Sequence, residues 1–364
     1  MIQKTSNDSR GDYMKAAVVT GRRRFEIREI PTPRAEPGTV LLKVKLCAIC
    51  GTDLEFVDNP QLDEKNKDGS AKFEAVLGHE WVGEVVEVGQ GVTGWAVGDR
   101  AVDLRASCGQ CYWCRRGLHH LCVGALAGST DFGGGIRTSL GGAMAEYILR
   151  SPQGMKSIMK VPDSVSDEEA ALTEPLNVGL APVYEAGIKA GDSVAILGAG
   201  HIGQLTLLAV KAAGAAPIIV TDRIKSRLDK ALELGADYAL NPDDGDVYRR
   251  IQEITEVGAD VVIICARGAD ILQQSTIAVR REGTVAIVGF LKPAVMDPIY
   301  ILNKHLRIIG CEPFLRYNVQ ALRLMEYKKV NCKPLISEIM PLKDVKKAFD
   351  SLYSGQNSLV MLRP

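Results

Sequence analysis

Four cysteines lie within fifteen residues of the chain, and their spacing is typical of a metal site. Two residues separate the first from the second and the second from the third, and seven precede the fourth; they are Cys108, Cys111, Cys114 and Cys122. Tight Cys-x₂-Cys turns bring two thiolates within reach of one Zn²⁺, at about 2.3 Å. Because four protein ligands leave no open position, the pattern predicts a structural zinc. The alternative is a disulfide framework or four core cysteines. Disulfides require an oxidising compartment that nothing else in the sequence indicates.

A second group of potential ligands is spread over three short segments. The segments are Ala-Ile-Cys-Gly-Thr-Asp at 48–53, Gly-His-Glu at 78–80 and Glu-Pro-Leu at 174–176. A catalytic zinc uses three protein ligands and keeps one position open. Cys50 and His79 are the firmest candidates, while Glu80 and Glu174 compete for the third place. Because adjacent residues of a strand face opposite ways, His79 and Glu80 can bind one ion together only if the backbone is irregular there.

A glycine-rich segment, Gly-Ala-Gly-His-Ile-Gly at 198–203, follows an apolar strand pattern and precedes a helical one. In that context Gly198 permits a tight turn, Gly200 lets the backbone approach a pyrophosphate and Gly203 allows close packing of helix on strand. The helix start, with His201 and Ile202, would meet the phosphates with its N–H groups. His201 is expected to be exposed rather than catalytic.

An acidic residue ends the following strand pattern. Asp222 comes 19 residues after the last glycine of the motif and is placed to accept hydrogen bonds from a ribose. A carboxylate there favours NAD over NADP. Arg223 and Lys225 follow directly and could accept the additional phosphate of NADP, so NADP stays open.

Two types of element must position these residues. From residue 15 the chain runs in short β-type segments interrupted by prolines, with a charged surface loop at 58–72, after a polar extension at 1–13 expected to be disordered. From about residue 184 apolar strand patterns alternate with helical ones: strands at 193–197, 217–222, 259–264 and 284–288, helices at 204–213, 224–234, 246–255 and 271–280. This alternation predicts a parallel, doubly wound sheet. Helices at 318–324 and 343–352 are expected to return to the first domain.

Length and charge narrow the class of protein. The chain has 364 residues, which suits two domains, and its 44 Lys and Arg balance 44 Asp and Glu. No net field therefore attracts nucleic acid or an anionic membrane, and small molecules are the expected partners. The sequence has neither an apolar run of about 20 residues nor the apolar core of a signal peptide, so a cytoplasmic location is expected.

Together the motifs resemble the zinc-containing medium-chain dehydrogenase/reductase superfamily. They are the segments 48–53 and 78–80, the four-cysteine lobe, Gly-Ala-Met-Ala-Glu-Tyr at 142–147, Glu-Pro-Leu at 174–176 and the motif at 198–203. The resemblance covers nearly everything after Met14. It implies an α/β protein with a GroES-like, β-rich catalytic domain over 14–184 and 311–364, a Rossmann domain over 185–310, two zinc ions per subunit and a homodimer or homotetramer.

Within that superfamily the chain looks most like the polyol and sugar dehydrogenases. Simple alcohol dehydrogenases have a cysteine where this chain has Glu174, and the segment around Arg316 resembles a polyol-branch segment whose arginine reaches the substrate. The resemblance implies that Thr52 relays a proton and that Asp53 orients the ring of His79. The position of a family proton-relay histidine is Glu55 here, so the exit route of the proton is open.

The expected activity is hydride transfer from a secondary hydroxyl of a polyol, cyclic polyol or sugar to NAD⁺. The alternative is an L-threonine 3-dehydrogenase or another secondary-alcohol or diol dehydrogenase. A non-catalytic protein that binds NAD and zinc is a remote alternative, because such a protein needs no open metal position. Substrate specificity is expected to depend on loops such as 123–140.

Overall fold

The computed structural model describes residues 12–105, 107–123, 141–152, 157–268, 270–289, 291, 293–311, 316–355 and 357–364. The predicted extension at 1–13 lies outside these residues except for its last two, and Tyr13 already begins the first strand. Most of the predicted specificity loop at 123–140 also lies outside them. Among the described residues no helix is long and apolar enough to cross a membrane.

Sixteen strands can be assigned in the described chain: β1 Tyr13–Gly21, β2 Arg24–Pro31, β3 Val40–Ala48, β4 Ala75–Val76, β5 Glu80–Val88, β6 Arg100–Arg105, β7 Tyr147–Arg150, β8 Ser157–Lys160, β9 Val194–Leu197, β10 Ile218–Thr221, β11 Tyr238–Leu240, β12 Ala259–Ile264, β13 Val279–Ile287, β14 Arg307–Gly310, β15 Glu338–Pro341 and β16 Val360–Arg363. The α-helices of the same residues are α1 Gly51–Asp58, α2 Asp167–Ala170, α3 Thr173–Ala186, α4 His201–Ala212, α5 Lys225–Leu234, α6 Val247–Thr255, α7 Ile271–Ala278, α8 Ile299–Lys304, α9 Asn318–Glu326 and α10 Val345–Tyr353.

The described chain divides into two compact units. The first draws on Met1–Val102, Val123–Val161 and Glu338–Pro364, and the second on Asp103–Cys122 and Pro162–Ser337. Of the two predicted tail helices, α10 therefore belongs to the first unit and α9 to the second.

The first unit is built from β-sheets. A three-stranded sheet has the order β2-β1-β4, and a larger one has the order β15-β16-β3-β5-β6-β8 with β7 also paired to β3. The strand β3 is central, and its side chains are buried along most of its length. Its apolar residues pack with Trp81 of β5 and Phe349 of α10 in one core. This core fixes the end of β3 from which the first candidate ligand follows.

The second unit contains a six-stranded parallel sheet in the order β11-β10-β9-β12-β13-β14. Counted along the chain this is the order 3-2-1-4-5-6 of a dinucleotide-binding fold, whose ligands bind at the carboxyl ends of the strands. The central strands β9 and β12 are almost wholly buried, as continuous apolar runs between helices require. The predicted fold class, a β-rich domain with a doubly wound parallel sheet, is confirmed.

Two local features differ from the sequence prediction. The helix α4 begins at His201, inside the glycine motif, because Gly200 already acts as its N-cap. The helix α3 was not predicted, since Pro175 and Pro182 interrupt its pattern. Pro175 lies in the first turn of α3, where a missing N–H leaves no helical hydrogen bond unmade.

Candidate functional site

The first unit brings three candidate ligands together. Cys50 is the N-cap of α1, just after β3, and His79 and Glu80 stand at the start of β5. Because β3 and β5 are antiparallel with Ala48 opposite Glu80, the end of one strand meets the start of the other. A ligand atom from each of Cys50, His79 and Glu80 lies within 4.8 Å of the others. A thiol, an imidazole and a carboxylate at this spacing are a donor set suited to Zn²⁺.

An irregular backbone allows neighbouring residues to share this cluster. Gly78 has φ of +102°, in the left-handed region, and a Cβ there would stand 2.6 Å from Cys47 Sγ and 2.9 Å from Met144 N. Only glycine fits both the conformation and the space. The turn keeps His79 outside the regular strand, so that it need not point away from Glu80. An irregular backbone of this kind is the condition that the sequence sets for His79 and Glu80 to bind one ion together.

Asp53 links the elements that carry two of these ligands. Its Oδ2 accepts a hydrogen bond from Cys50 N at 3.0 Å, and its Oδ1 lies 3.7 Å from His79 Nδ1. Burial raises the pKa of Asp53, while the charge of His79 and the N–H groups of Cys50 and Gly78 oppose that rise. The second distance is longer than a hydrogen bond. The carboxylate therefore fixes the cysteine backbone directly and faces the imidazole electrostatically.

The other residues singled out near this cluster have different environments. Thr52 is half-buried in the first turn of α1, and Glu55 lies on its exposed face. Cys47 is fully buried in the apolar strand β3. Glu174 belongs to the second unit, half-buried in the first turn of α3.

The four cysteines of the lobe converge within the second unit. Their sulfurs all lie within 4.8 Å of one another, with Cys114 Sγ 3.5 Å from Cys111 Sγ and 4.0 Å from Cys108 Sγ. A tetrahedral Zn²⁺ with sulfurs at about 2.3 Å needs sulfur pairs about 3.8 Å apart. A disulfide needs about 2.0 Å instead. The lobe thus has the dimensions of a four-thiolate zinc site rather than of a disulfide framework.

Local backbone geometry shapes the lobe for anionic sulfur. Gly109 and Gly117 both have positive φ, which the tight turns require, and Cys108 N points at Cys122 Sγ at 3.1 Å. Burial and the adjacent thiols raise the pKa of Cys114 to about 12. Thiolates in this crowded cluster therefore need a cation to balance them.

Arg316 forms an ion pair within the second unit. Its guanidinium donates to Glu185 of α3, which also accepts from the hydroxyl of Tyr317. The ring of Tyr317 stacks on Tyr184, with centroids 4.7 Å apart. Burial and the charge of Arg316 lower the pKa of His120 in the cysteine lobe. A role for Arg316 toward substrate hydroxyls would compete with this ion pair.

The glycine motif forms a turn that can hold a phosphate. Gly198 has φ of +106°, and a Cβ on Gly203 would stand 1.9 Å from Gly198 O. A Cβ on Gly200, by contrast, would meet nothing within 4 Å. Gly200 is the N-cap of α4, so this open space adjoins the start of the helix, where the first N–H groups have no partner within the helix. Ile202 and His201 lie in that first turn, and His201 is half-buried rather than exposed, because it starts the helix.

Asp222 lies beside this turn at the carboxyl end of β10. Its carboxylate accepts from Ala199 N at 2.8 Å and Ile224 N at 2.9 Å. Arg227 lies 3.6 Å from the same carboxylate. A ribose at this strand end would meet an acceptor that the backbone holds in place.

Two residues at this edge were missed from the sequence. Arg227 is in the first turn of α5. Its position five residues after Asp222 is a signal that could have been recognised in the sequence. Asp243, 3.3 Å from Arg223, follows the three-residue strand β11, which is too short to stand out as a pattern.

The chain matches two protein-family models, one for the GroES-like domain of alcohol dehydrogenases over residues 36–163 and one for zinc-binding dehydrogenases over residues 202–325. It is 32% identical to a sorbitol dehydrogenase of Halalkalibacterium halodurans, over 96% of this chain and 99% of that one. It is 34% identical to an L-threonine 3-dehydrogenase of Pyrococcus horikoshii, over 92% and 94%. The chain therefore belongs to the zinc-binding alcohol dehydrogenase family and is an oxidoreductase of that class, as its motifs predict.

Solved structures agree with this assignment. The crystal structure of 2R,3R-butanediol dehydrogenase from Bacillus subtilis has a TM-score of 0.83 and 31% identity, covering 96% of this chain and 99% of its own. A similar structure from Sinorhizobium meliloti 1021, with TM-score 0.82, 29% identity and coverage of 97% and 100%, is bound to NADP. Another from Escherichia coli CFT073, with TM-score 0.84, 25% identity and the same coverage, is complexed with NADH. Two similar structures thus hold a nicotinamide cofactor, which is NADP in one and NADH in the other.

Proposed function

We propose that the protein is a zinc-dependent dehydrogenase that oxidises a secondary hydroxyl of a polyol, cyclic polyol or sugar to a carbonyl, with a hydride passing from the hydroxyl-bearing carbon to NAD⁺ and a proton leaving the hydroxyl. The observation that carries this proposal is the convergence of Cys50, His79 and Glu80 within 4.8 Å. Similarity to a sorbitol dehydrogenase along nearly the full chain supports the substrate class.

The donor set suits a metal with an open coordination position. A Zn²⁺ bound there would supply Lewis acidity toward a hydroxyl oxygen. Cys50 as thiolate and Glu80 as carboxylate would balance its charge, and His79 would remain neutral. Glu80 is the proposed third ligand, because it is fully buried beside the other two. Glu174 remains the alternative.

The surrounding residues have separate tasks in this proposal. Asp53 holds the backbone of Cys50 and faces the ring of His79, so it orients both. Thr52, two residues after Cys50, is the proposed proton relay. Glu55 on the exposed face of α1 offers an acceptor on the way to solvent.

The second unit contributes the remaining parts. The four-cysteine lobe would hold a second, structural zinc, giving two ions per chain. The turn at 198–203 and Asp222 would hold the pyrophosphate and a ribose of NAD, with Arg223 leaving NADP open. Arg316 would contact the substrate only after its guanidinium has broken the ion pair with Glu185.

Several broader expectations also remain proposals. These are domain limits at 14–184 and 311–364 for the catalytic domain and 185–310 for the coenzyme domain, a cytoplasmic location, and a homodimer or homotetramer that binds neither nucleic acid nor membrane.

The second candidate function is an L-threonine 3-dehydrogenase. It is favoured by the 34% identity to the Pyrococcus horikoshii enzyme. Direct comparison of turnover on L-threonine and on sorbitol separates the two functions, because L-threonine has an ammonium and a carboxylate group that sorbitol lacks.

The test is a substrate panel on the purified full chain whose zinc content has been measured. Sorbitol, other polyols, cyclic polyols, sugars, diols and L-threonine are each offered with NAD⁺ and with NADP⁺, and nicotinamide reduction is followed by absorbance. We expect the highest kcat/KM on a polyol or sugar with NAD⁺. Protein that retains zinc and reduces neither cofactor with any of these compounds would refute the proposal and leave the non-catalytic alternative.

A further inference from the structure

Three cations follow Asp222 within five residues of the chain, and each forms an ion pair with a carboxylate of this chain. Arg223 Nε is 3.3 Å from Asp243 Oδ1, and Arg227 Nη1 is 3.6 Å from Asp222 Oδ2. Lys225 Nζ lies 2.7 Å from Asp229. A 2′-phosphate must be bound by such cations, so each carboxylate competes with that phosphate.

The pair of Arg223 and Asp243 lies at the strand ends where a ribose would bind. The parallel strands β10 and β11 are adjacent, and Asp222 N bonds to Leu240 O at 3.3 Å just beyond them. Arg223 follows the end of β10, and Asp243 follows the end of β11. Carboxyl ends of neighbouring parallel strands share one edge of a sheet, so the two side chains meet there.

Asp243 is held in place by its own segment. It lies in a short 3-10 helix, Pro242–Asp244, and its N–H donates to Asn241 Oδ1 at 2.9 Å. Arg223, in contrast, has a side chain that is 76% exposed. The backbone of Asp243 is therefore held in place, although its side chain is 59% exposed, and the longer side chain of Arg223 is the one that can turn toward a ligand.

We propose that Asp243 is a positioning residue for cofactor choice, which holds Arg223 away from the 2′-position and so disfavours NADP. The inference rests on the proposed function, because it assumes that a nicotinamide nucleotide binds at the 198–203 turn. Asp222 repels a 2′-phosphate directly, whereas Asp243 acts by engaging the arginine that would neutralise it.

The experiment measures the dissociation constants of NAD⁺ and NADP⁺ by calorimetry on the full chain. We expect Asp243→Asn to tighten NADP⁺ binding by about three-fold, the size of an exposed ion pair, and to change NAD⁺ binding by less than about two-fold. Asp244→Asn is the matched control, because it removes the same charge from the same 3-10 helix without a contact to Arg223. It should have the smaller effect.

Two further variants distinguish positioning from a general loss of charge. Arg223→Gln combined with Asp243→Asn should abolish the gain in NADP⁺ affinity, and Asp243→Glu should restore the parental ratio of the two constants. Equal effects of Asp243→Asn and Asp244→Asn, or a gain that survives Arg223→Gln, would overturn the inference while leaving the proposed function intact. Failure of the unaltered protein to bind either nucleotide would overturn both.

Discussion

At the scale of single residues, the cluster of Cys50, His79 and Glu80 depends on two neighbours that are not ligands. Gly78 supplies the left-handed turn, and Asp53 fixes the start of α1. A metal site in this cluster would therefore depend on five residues, of which the three candidate ligands are only part.

Replacing Cys50 should separate metal binding from folding. Cys50→Ser is expected to remove one zinc and reduce turnover by at least about 100-fold, since a serine oxygen is a poor substitute for thiolate. The melting temperature should change little, because Cys50 is only half-buried at a helix end. Zinc analysis, calorimetry and a rate assay measure the three quantities.

Cys47, three residues earlier, provides the matched control. It is fully buried, so Cys47→Ala should lower the free energy of unfolding by about 1 kcal/mol while zinc content and turnover persist. Loss of zinc in Cys47→Ala but not in Cys50→Ser would mean that Cys47 is the ligand and Cys50 is not.

The candidate ligands could be recognised in the sequence, but the contacts that hold them in place could not. Cysteine, histidine and glutamate in short motifs are recognisable because few other chemistries need them together. Asp53 was expected only as a partner of His79, yet its hydrogen bond is to Cys50 N. That contact depends on where α1 begins, and an eight-residue helix starting with Gly-Thr-Asp carries little pattern.

At the scale of elements, the junction of β9 and α4 has two glycines with different requirements. Gly203 is confined by Gly198 O, whereas Gly200 faces open space with an ordinary φ of −64°. A glycine-to-alanine substitution should therefore disturb packing at position 203 but block a bound ligand at position 200.

Gly200→Ala should impair nucleotide binding without disrupting the fold. An alanine at this N-cap costs less than about 1 kcal/mol of stability, but its methyl group would occupy the space proposed for the pyrophosphate. We expect NAD⁺ affinity to fall by at least about ten-fold in calorimetry. Gly203→Ala should instead lower the free energy of unfolding by about 2–3 kcal/mol. Unchanged affinity in Gly200→Ala would argue against a phosphate at the turn.

The half-buried carboxylate of Asp260 connects the starts of three neighbouring strands, because it contacts Ser193 just before β9 and Arg280 of β13, and it should make the stability of the sheet depend on pH. Burial opposes ionisation of Asp260, but hydrogen bonds from Ser193 and Arg280 outweigh it and lower the pKa of Asp260. Because the folded-state pKa lies below the unfolded value of about 3.9, this stabilisation is complete above that value and is lost as pH falls through the folded pKa.

Asp260→Asn should therefore lower the free energy of unfolding by about 1–2 kcal/mol at neutral pH. The difference from the parent should shrink below about pH 4, where the carboxylate of the unfolded parent begins to be protonated, and should disappear as pH falls through the lower folded-state pKa. Asp229→Asn, which breaks only an exposed pair with Lys225, is the control and should have little effect. Denaturant titrations across pH measure the free energy of unfolding of both variants and of the parent. A difference between Asp260→Asn and the parent that grows on acidification would contradict a lowered pKa for Asp260.

Element prediction succeeded where periodicity was uninterrupted. The strands of the parallel sheet read as continuous apolar runs, and β12 was predicted with its observed limits. The helix α3 was missed because prolines suggest a helix break, although Pro175 sits where the helix tolerates it. The three-residue strand β11 is defined by pairing to β10, which no local pattern encodes.

At the scale of the whole molecule, the four-cysteine lobe is part of the second unit. Asn318 Nδ2 of α9 donates to Asp103 O, the first residue of the lobe segment, at 2.6 Å. A metal in this lobe would stabilise a long insertion with little apolar core of its own.

Loss of the proposed structural zinc should affect stability before catalysis. Cys111→Ser, or a chelator strong enough to strip the lobe, is expected to lower the melting temperature by several degrees and to reduce solubility. Thermal scans with parallel zinc analysis test this, with Cys50→Ser as the comparison that loses the other ion. A Cys111→Ser protein with an unaltered melting temperature and no activity would contradict a structural role.

The position of β16 has a consequence for synthesis. This C-terminal strand pairs with the end of β3, where Met361 faces Ala48 and Val360 O accepts from Ile49 N, one residue before Cys50. A nascent chain can finish the six-stranded sheet of the second unit on the ribosome while the end of β3 is paired with β5 on one side only. The segment that leads into Cys50 therefore gains its second neighbouring strand only after residues 360–363 have been made, so we expect the candidate metal cluster to become ordered late in synthesis.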